Sequence, residues 1–274
     1  MSDMIKIAVD AMGGDSSPKK IIDGIIHNHQ SNKEVCYKIF GDQNKISEII
    51  KGKINKDFFE IFHTENVVKS ADSPLEGAKR GKNTSMWLAI ESVKKKDCDI
   101  VISAGNTGAL LVISKLNLKM IDNIDKPALS ALWPNKKGMS VVLDLGANIE
   151  CSSKNLFDFS VMGASLYKSL YPEETPNVAL KTAEGTAGFI TGELKKAMTG
   201  NLIGKISSFL NISNLRKFKK RLDPRLYNGA IFIGLDSPVV KSHGGTDYVG
   251  FSNSIDVCYK IVKGDLISKI KENI

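Results

Sequence analysis

The sequence lacks the features that identify several large classes of protein. Its 274 residues include only four cysteines, with no CxxC pair among them: Cys36, Cys98, Cys151 and Cys258. A disulfide framework or a zinc site is therefore not expected. Histidine gives no better support for a metal, because His27 and His29 point away from each other on a helix and His63 is isolated. We expect no metal.

Long apolar runs are also absent. The longest, Ala109 to Ile113, is far shorter than the roughly 20 residues that cross a bilayer. Residues 1–10 lack the basic start and continuous apolar stretch of a signal peptide, so we expect a cytoplasmic protein. With 42% hydrophobic and 25% charged residues, the chain has globular composition and enough length for a large core.

Three motifs of nucleotide and acyl chemistry are missing. The sequence contains no GxGxxG, no GxxxxGK[ST] and no GxSxG. Dinucleotide binding, P-loop chemistry and a hydrolase nucleophile elbow therefore lose their usual support, and no cofactor is expected.

What the sequence does contain is an alternation of strand and helix patterns. Predicted strands are Ile5–Asp10, Cys36–Gly41, Phe59–Thr64, Ile100–Ser103, Ala128–Leu132, Ser140–Asp144, Ile231–Gly234 and Val239–Lys241. Predicted helices are Pro18–Asn28, Gln43–Ile50, Ser85–Lys95, Thr107–Asn117, Leu156–Leu170 and Asp247–Lys263. This order predicts a doubly wound sheet with helices on both faces.

The stretch Ile7 to Asp15, IAVDAMGGD, is the most informative one. A β-branched strand ends at Asp10, and Gly13 and Gly14 permit a tight turn before a helix. Ser17 and Pro18 read as the N-cap and the first helical residue. Ligands of open α/β sheets bind at such carboxyl ends of strands.

Three more strand ends carry similar loops: SAGNTGA (103–109), LDLGAN (143–148) and SHGGTD (242–247), the last of which contains His243. Glycine is common in such turns for steric reasons alone, so each loop by itself is weak support for a ligand. Four together predict an oxyanion site. The candidate binding residues are Asp10, Gly13, Gly14, Asp15, Gly105, Asn106, Thr107, Gly108, Asp144 and Asn148.

Most of the formal charge of +8 lies in one segment. Between Phe189 and Arg225 there are nine cations and two anions, with apolar residues at roughly helical spacing. The segment is either a helical hairpin lying on an anionic membrane or a core-facing hairpin with a solvated basic side. Nucleic-acid binding is less favoured, since no RNA-binding signature is present. We predict one domain, 1–274, with a helical protrusion over 186–224. Its candidate membrane-binding residues are Leu202, Ile203, Ile206, Phe209, Leu210, Lys217 and Lys220.

In chain order, IAVDAMGGD, SAGNTGA, LDLGAN, NVALKTAEG (177–185), KRLDPR (220–225) and SHGGTD resemble the phosphate acyltransferase family of bacteria, the PlsX type. The resemblance implies a Rossmann-like three-layer α/β/α sandwich with a mostly parallel sheet, in a homodimer. It also implies transfer of a fatty acyl group from acyl carrier protein to inorganic phosphate. The acyl phosphate then serves a membrane glycerol-3-phosphate acyltransferase in phospholipid synthesis. The basic hairpin would touch the inner face of the membrane.

This chemistry assigns roles to the candidate residues. The backbone of Gly105–Gly108, with Asn106 and Thr107, would hold the phosphate, and Asn177 or Lys181 would face the developing oxyanion. His243 would accept a proton from phosphate or orient its loop, and we favour the second. Asp10, Asp15 and Asp144 are expected to organise their loops by accepting backbone N–H groups.

One departure from the family is large. Family members carry about fifty to sixty residues, including a candidate catalytic lysine, where Tyr171 to Pro176 here joins the flanking elements directly. Three hypotheses follow. The chain is a working acyl-carrier-protein enzyme, or a catalytically impaired relative that dimerises and binds membrane or carrier protein, or a phosphotransacetylase-like enzyme that uses acyl-CoA. Whether Lys181 replaces the absent lysine stays open.

Overall fold

The computed structural model describes residues 4–135, 139–148, 150–173, 178–180 and 223–274. Contacts between Cα atoms divide the chain into two units, Met1–Ala179 with Arg225–Ile274, and Leu180–Pro224. The described residues fall almost entirely in the first unit. Asn177, Lys181, the helical protrusion over 186–224 and all seven candidate membrane-binding residues lie outside them.

The predicted strands and helices are all present, with ends shifted by at most a few residues. The strands are β1 Ile5–Asp10, β2 Val35–Gly41, β3 Phe59–His63, β4 Ile100–Ser103, β5 Ala128–Pro134, β6 Met139–Leu143, β7 Val178–Leu180, β8 Ala230–Ile233 and β9 Val239–Lys241. The helices are α1 Lys19–Ser31, α2 Gln43–Ile50, α3 Pro74–Lys79, α4 Ser85–Lys94, α5 Thr107–Asn117, α6 Ser153–Leu170, α7 Tyr248–Lys263 and α8 Leu266–Asn273. The sequence patterns missed β7, α3 and α8.

The strands form one sheet in the order β3-β2-β1-β4-β9-β8-β5-β6-β7. Neighbours from β3 to β9 are parallel, whereas β9–β8, β8–β5 and β5–β6 are antiparallel. Only β8 and β6 therefore run against the others among the eight strands whose register is described. The prediction of a mostly parallel sheet is confirmed.

Helices cover both faces of the sheet. One core cluster joins alternate strand residues such as Ile7 and Val9 to α1, α2, α6, α7 and α8. A second joins Ala8 and Val101 to α4 and α5 on the opposite face. Because successive strand residues point to opposite faces, each strand supplies both cores. The described elements thus form the expected three-layer α/β/α sandwich. No helix among them is long and apolar enough to span a membrane.

The start of α1 differs from the prediction. The helix begins at Lys19, Pro18 occupies the N-cap position in helical conformation, and no side chain caps the helix. Ser17 instead donates its hydroxyl hydrogen to the carbonyl oxygen of Gly13 at 2.5 Å. The predicted N-cap was wrong because the Ser17 hydroxyl stabilises the Gly-Gly turn by a hydrogen bond and does not cap α1.

Candidate functional site

Three of the four glycine loops meet at one edge of the sheet. Strands β1, β4 and β9 are parallel neighbours, so their carboxyl ends lie side by side. The loops that follow them are joined by two backbone hydrogen bonds, Asp15 N–H to Gly244 O at 3.1 Å and Ser242 N–H to Ser103 O at 2.9 Å. We call residues 10–18, 103–108 and 241–247 the glycine-loop cluster.

Two glycines are required for this close approach. A Cβ atom on Gly13 would lie 2.6 Å from the Gly105 nitrogen and 2.7 Å from Asp10 Oδ2. Gly14 has a φ of +83°, and a Cβ there would lie 2.7 Å from the carbonyl oxygen of Ala104. Any side chain at Gly13 would therefore push two loops of the cluster apart.

Asp10, the last residue of β1, stabilises the glycine-loop cluster through hydrogen bonds of its buried carboxylate. It is 1% exposed, and it accepts hydrogen bonds from Ser85 Oγ at 2.7 Å and Ser103 Oγ at 2.6 Å. It also accepts the Met12 N–H at 3.3 Å. Burial raises the pKa of this carboxyl, while the hydrogen bonds from Ser103 and Ser85 act in the opposite direction. Ser103 Oγ in turn accepts the Gly105 N–H at 3.0 Å, so Asp10 positions the backbone of the second loop.

The N-terminus of α5 presents unpaired donors to this edge. Asn106 is the N-cap: its Oδ1 accepts the Ala109 N–H at 3.0 Å, and its Nδ2 donates to the carbonyl oxygens of Ser70 and Asp72. Its side chain is therefore engaged, which leaves its backbone to contact an anion. The N–H groups of Asn106, Thr107 and Gly108 have no acceptor among the described residues. Three such donors at the positive end of a helix dipole suit an oxyanion.

His243 is exposed and orders its own turn. Its Nδ1 accepts the Gly245 N–H at 3.1 Å, so in the neutral ring the proton is on Nε2. Its backbone N–H donates to Asn228 Oδ1 at 2.9 Å. Asn228 also donates to Ser242 Oγ at 2.9 Å, which ties the turn to the chain before β8. This geometry suits an orienting role for His243.

Sequence reasoning missed two buried lysines in the cluster. Lys20 is 7% exposed and Lys241 is 8% exposed, and they donate to the carbonyl oxygens of Gly244 and Ser242 respectively. Burial, and after it the charge of Lys20, lower the pKa of Lys241 to about 8, while the charge of Asp10 acts in the opposite direction. Burial also lowers the pKa of Lys20. The sequence indicates the burial of Lys20 only weakly, through its spacing of four residues from Gly24 and eight from Asn28. The structure buries all three residues on α1.

A hollow of 360 Å³ opens beside the cluster, between the start of α1 and the turn before α7. Asp15, Lys20, Gly245 and Tyr248 contribute to its walls. Other charges at its rim are paired, Lys19 with Asp23 at 2.5 Å and Asp247 with Arg225 at 3.1 Å. The glycine-loop cluster therefore faces open space on this side.

The fourth loop does not join the other three. Because β6 runs opposite to β1, its carboxyl end lies at the other edge of the sheet. There Asp144 Oδ1 accepts the Asn148 N–H at 3.2 Å, and Asn148 Nδ2 donates to the carbonyl oxygen of Pro127 at 2.9 Å. The prediction that Asp144 and Asn148 share a site with Gly105–Gly108 is therefore not supported within one chain. Strand reversal is the reason.

No cysteine lies in the glycine-loop cluster. All four are free, and burial raises the pKa of each thiol. Among the described residues, no group of three histidine, cysteine or acidic side chains could hold a metal ion. Chemistry at the cluster therefore rests on backbone donors, hydroxyls and lysines.

Comparison with known proteins agrees with this arrangement. A family model described as "Fatty acid synthesis protein" matches residues 5–176 and 174–269. A phosphate acyltransferase of Pelagibacter ubique is 63% identical over 333 aligned positions that cover both chains completely. The chain belongs to the phosphate acyltransferase family. A phosphate acyltransferase of Rhodospirillum rubrum is 36% identical, over 100% of this chain and 95% of its own.

The same alignment confirms that an internal segment is absent. The 333 aligned positions exceed the 274 residues of this chain by 59. The two parts of the family match meet at residues 174–176, where the expected segment would begin. The family members thus contain a block that this chain lacks after Thr175.

Solved structures of phosphotransacylases share the fold. A phosphotransacetylase from Streptococcus pyogenes superposes with a TM-score of 0.59 at 13% identity, over 98% of this chain and 95% of its own. A branched-chain phosphotransacylase from Enterococcus faecalis gives 0.53 at 10% identity, over 94% and 99%. At such low identity the likeness concerns the fold alone.

Proposed function

We propose that the protein transfers a fatty acyl group from acyl carrier protein to inorganic phosphate, giving an acyl phosphate for phospholipid synthesis. The observation that carries this proposal is the meeting of three glycine loops at one edge of the sheet, one of which carries the unpaired N–H groups of residues 106–108. In a chain of this family, such a cluster has the geometry and charge to hold phosphate.

The reaction needs no nucleophilic side chain. A phosphate oxygen attacks the thioester carbonyl carbon, a C–O bond forms, and the C–S bond breaks. The leaving thiolate then takes a proton from solvent or from monobasic phosphate. A thiol with a pKa of about 8.5 leaves readily. The site must therefore provide placement and charge, which fits a cluster that contains no cysteine.

Several residues of the glycine-loop cluster would contribute to placing phosphate. The N–H groups of residues 106–108 bind phosphate oxygens, Asp10 and Ser103 fix the Gly105 backbone, and His243 orders the third loop. Asn177 or Lys181 would face the oxyanion, and both lie outside the described residues. Lys181→Ala tests that assignment, since an unchanged rate would remove the lysine from the scheme.

The direct test is turnover by the purified full chain. Acyl carrier protein loaded with a fatty acyl group is mixed with phosphate, and released thiol and acyl phosphate are measured together. We expect equal amounts of both, and a rate that depends on phosphate concentration. Thiol release without acyl phosphate would show hydrolysis and contradict the proposal. Replacing the donor with acyl-CoA decides between the two donor classes.

The absence of 59 aligned positions from this chain supports a second candidate function. In it, the chain is a catalytically impaired relative that dimerises and binds membrane or carrier protein. It predicts no phosphate-dependent turnover but retained binding to anionic vesicles, weakened by salt. A version with the block restored from the Pelagibacter ubique relative is the matched control. Turnover by the restored version alone would support the impaired candidate.

Peripheral membrane binding and homodimerisation belong to the same proposal. Nine cations against two anions between Phe189 and Arg225 would attract an anionic membrane or an acidic carrier protein. Vesicle sedimentation with Lys217→Glu and Lys220→Glu tests the membrane contact. Equal sedimentation of variant and parent would contradict it.

A further inference from the structure

The two buried lysines of the glycine-loop cluster are only partly matched by the groups around them, since Asp15 and Asp10 act on Lys20 and Lys241 through their charges without forming an ion pair with them. An ammonium group carries three N–H donors, and Lys20 and Lys241 each have one described acceptor, a carbonyl oxygen. No described carboxylate lies within 4.0 Å of either nitrogen. Two buried cations without a paired anion are unfavourable in a protein interior.

Lys241 has a defined place in the row of strand ends that precedes the α5 donors. It is the last residue of β9 and pairs in register with Ser103, which pairs with Asp10 on β1. Register partners of parallel strands point to the same face, so the three side chains form a row at the edge of the sheet. Ser103 and Asp10 of this row already hold Gly105, the residue directly before the unpaired N–H groups.

Lys20 reaches the same turn from the other face of the sheet. Its helix packs in the first core cluster, yet its nitrogen donates to Gly244, the residue that also accepts the Asp15 N–H. Lys20 also lines the open hollow. The two cations thus approach the third glycine loop from opposite sides.

We propose that Lys241 and Lys20 are anion-binding residues, and that the oxyanion held by residues 106–108 is also bound by these two ammonium groups. This inference rests on the proposed function in taking phosphate as the anion. It gives the chain its own cations at the site, independent of the block absent after Thr175. An anion there would accept hydrogen bonds from the free donors of both lysines and offset their mutual repulsion.

The test is phosphate binding by the full chain, measured by calorimetry, with Lys241→Met and Lys20→Met. Methionine keeps most of the side-chain volume and removes the charge. We expect Lys241→Met to raise the Kd for phosphate by about tenfold or more, and Lys20→Met by a smaller factor. Lys19→Met, on the exposed neighbour paired with Asp23, is the control and should stay within about twofold of the parent. An unchanged Kd in Lys241→Met overturns the inference.

Thermal stability separates this role from a structural one. If Lys241 lacks a partner, Lys241→Met in phosphate-free buffer should be at least as stable as the parent, and phosphate should raise its Tm less. If Lys241 is instead a structural partner of Asp10, the variant loses stability while phosphate raises both Tm values equally, which overturns the inference.

The outcome is separable from that of the proposed function. Phosphate binding that depends on Lys241 without turnover would contradict the enzyme proposal and support the inference. If the chain is active and its KM for phosphate is unchanged in Lys241→Met, the enzyme proposal is supported and the inference is contradicted.

Discussion

Ser103 donates its hydroxyl hydrogen to Asp10 Oδ2 at 2.6 Å, and the same hydroxyl oxygen accepts the Gly105 N–H at 3.0 Å. A buried carboxylate on one strand thereby fixes the loop that follows its neighbour. This relay sets the backbone position from which the N–H donors of residues 106–108 follow.

Ser103→Ala should damage both the fold and the reaction. It leaves a buried carboxylate without one donor, which costs about 1 to 3 kcal/mol of unfolding free energy, and it frees the Gly105 backbone. We expect a lower kcat as well as a lower Tm. Ser92→Ala is a control for loss of a buried hydroxyl, since Ser92 lies outside the glycine-loop cluster and its hydroxyl donates to Ala89 O at 2.7 Å. Equal kcat in the two variants would contradict the relay.

Gly13→Ala should disrupt the cluster through sterics alone. The added methyl group meets the Gly105 nitrogen at 2.6 Å, so the first two loops must separate. A loss of about 1 to 3 kcal/mol is typical of overpacking, and phosphate affinity should fall with it. Gly245→Ala is the steric control for stability, because its nearest contact is His243 Cε1 at 3.5 Å. Comparable Tm losses in both variants would show that the close approach is not needed.

Phosphate affinity should fall as pH rises above about 8. In the free protein the pKa of Lys241 is lowered from its ordinary 10.5 to about 8, so its ammonium is lost in this range. Asp10 on β1 and Lys20 on α1 face it with opposite effects, and Asp15 acts on Lys20. Calorimetry between pH 7 and 10 would measure the decline. A decline that persists in Lys241→Met would assign it to another group.

Stability without phosphate should show the opposite trend. Since the folded pKa of Lys241 lies below the unfolded one, the unfolded chain binds more protons between about pH 8 and 10.5. This single group then adds up to about 1.4 kcal/mol of stability per pH unit in that window and nothing below it. Denaturant unfolding of the parent and Lys241→Met gives the difference. If the unfolding free energies of the two proteins change with pH in parallel, Lys241 is not desolvated in the folded chain.

Asn148→Ala should affect stability without affecting phosphate. Its amide bonds to Pro127 O and Asp144 Oδ1 lie at the far edge of the sheet. We expect an unchanged KM for phosphate and a loss of about 1 kcal/mol in unfolding free energy. A large rise in KM with an unchanged Tm would indicate that the fourth loop contributes to phosphate binding, for example from the second subunit of a dimer.

The strand ends of the cluster could be predicted, but their meeting could not. Asp10, Ser103 and Lys241 all end predicted strands, and glycine after each marks a turn. Their adjacency depends on β9 pairing with β4, a contact between residues more than a hundred positions apart. Local patterns carry no signal for such pairing.

Strand direction and side-chain burial explain the remaining differences. LDLGAN has the same pattern as the other loops, but β6 is antiparallel to β5, so Asp144 ends at the opposite edge. Lys20 follows the exposed Lys19, and only the tertiary contact of α1 with the third loop buries it. Asn106 reads as a ligand in sequence and is an N-cap in the fold.

A crystal structure of the full chain grown in phosphate would show whether the glycine-loop cluster binds the anion. We expect one phosphate in the glycine-loop cluster, within hydrogen-bond distance of the N–H groups of residues 106–108 and of Lys241 Nζ. Phosphate found only at the Asp144–Asn148 loop, or absent from the cluster at saturating concentration, would contradict it.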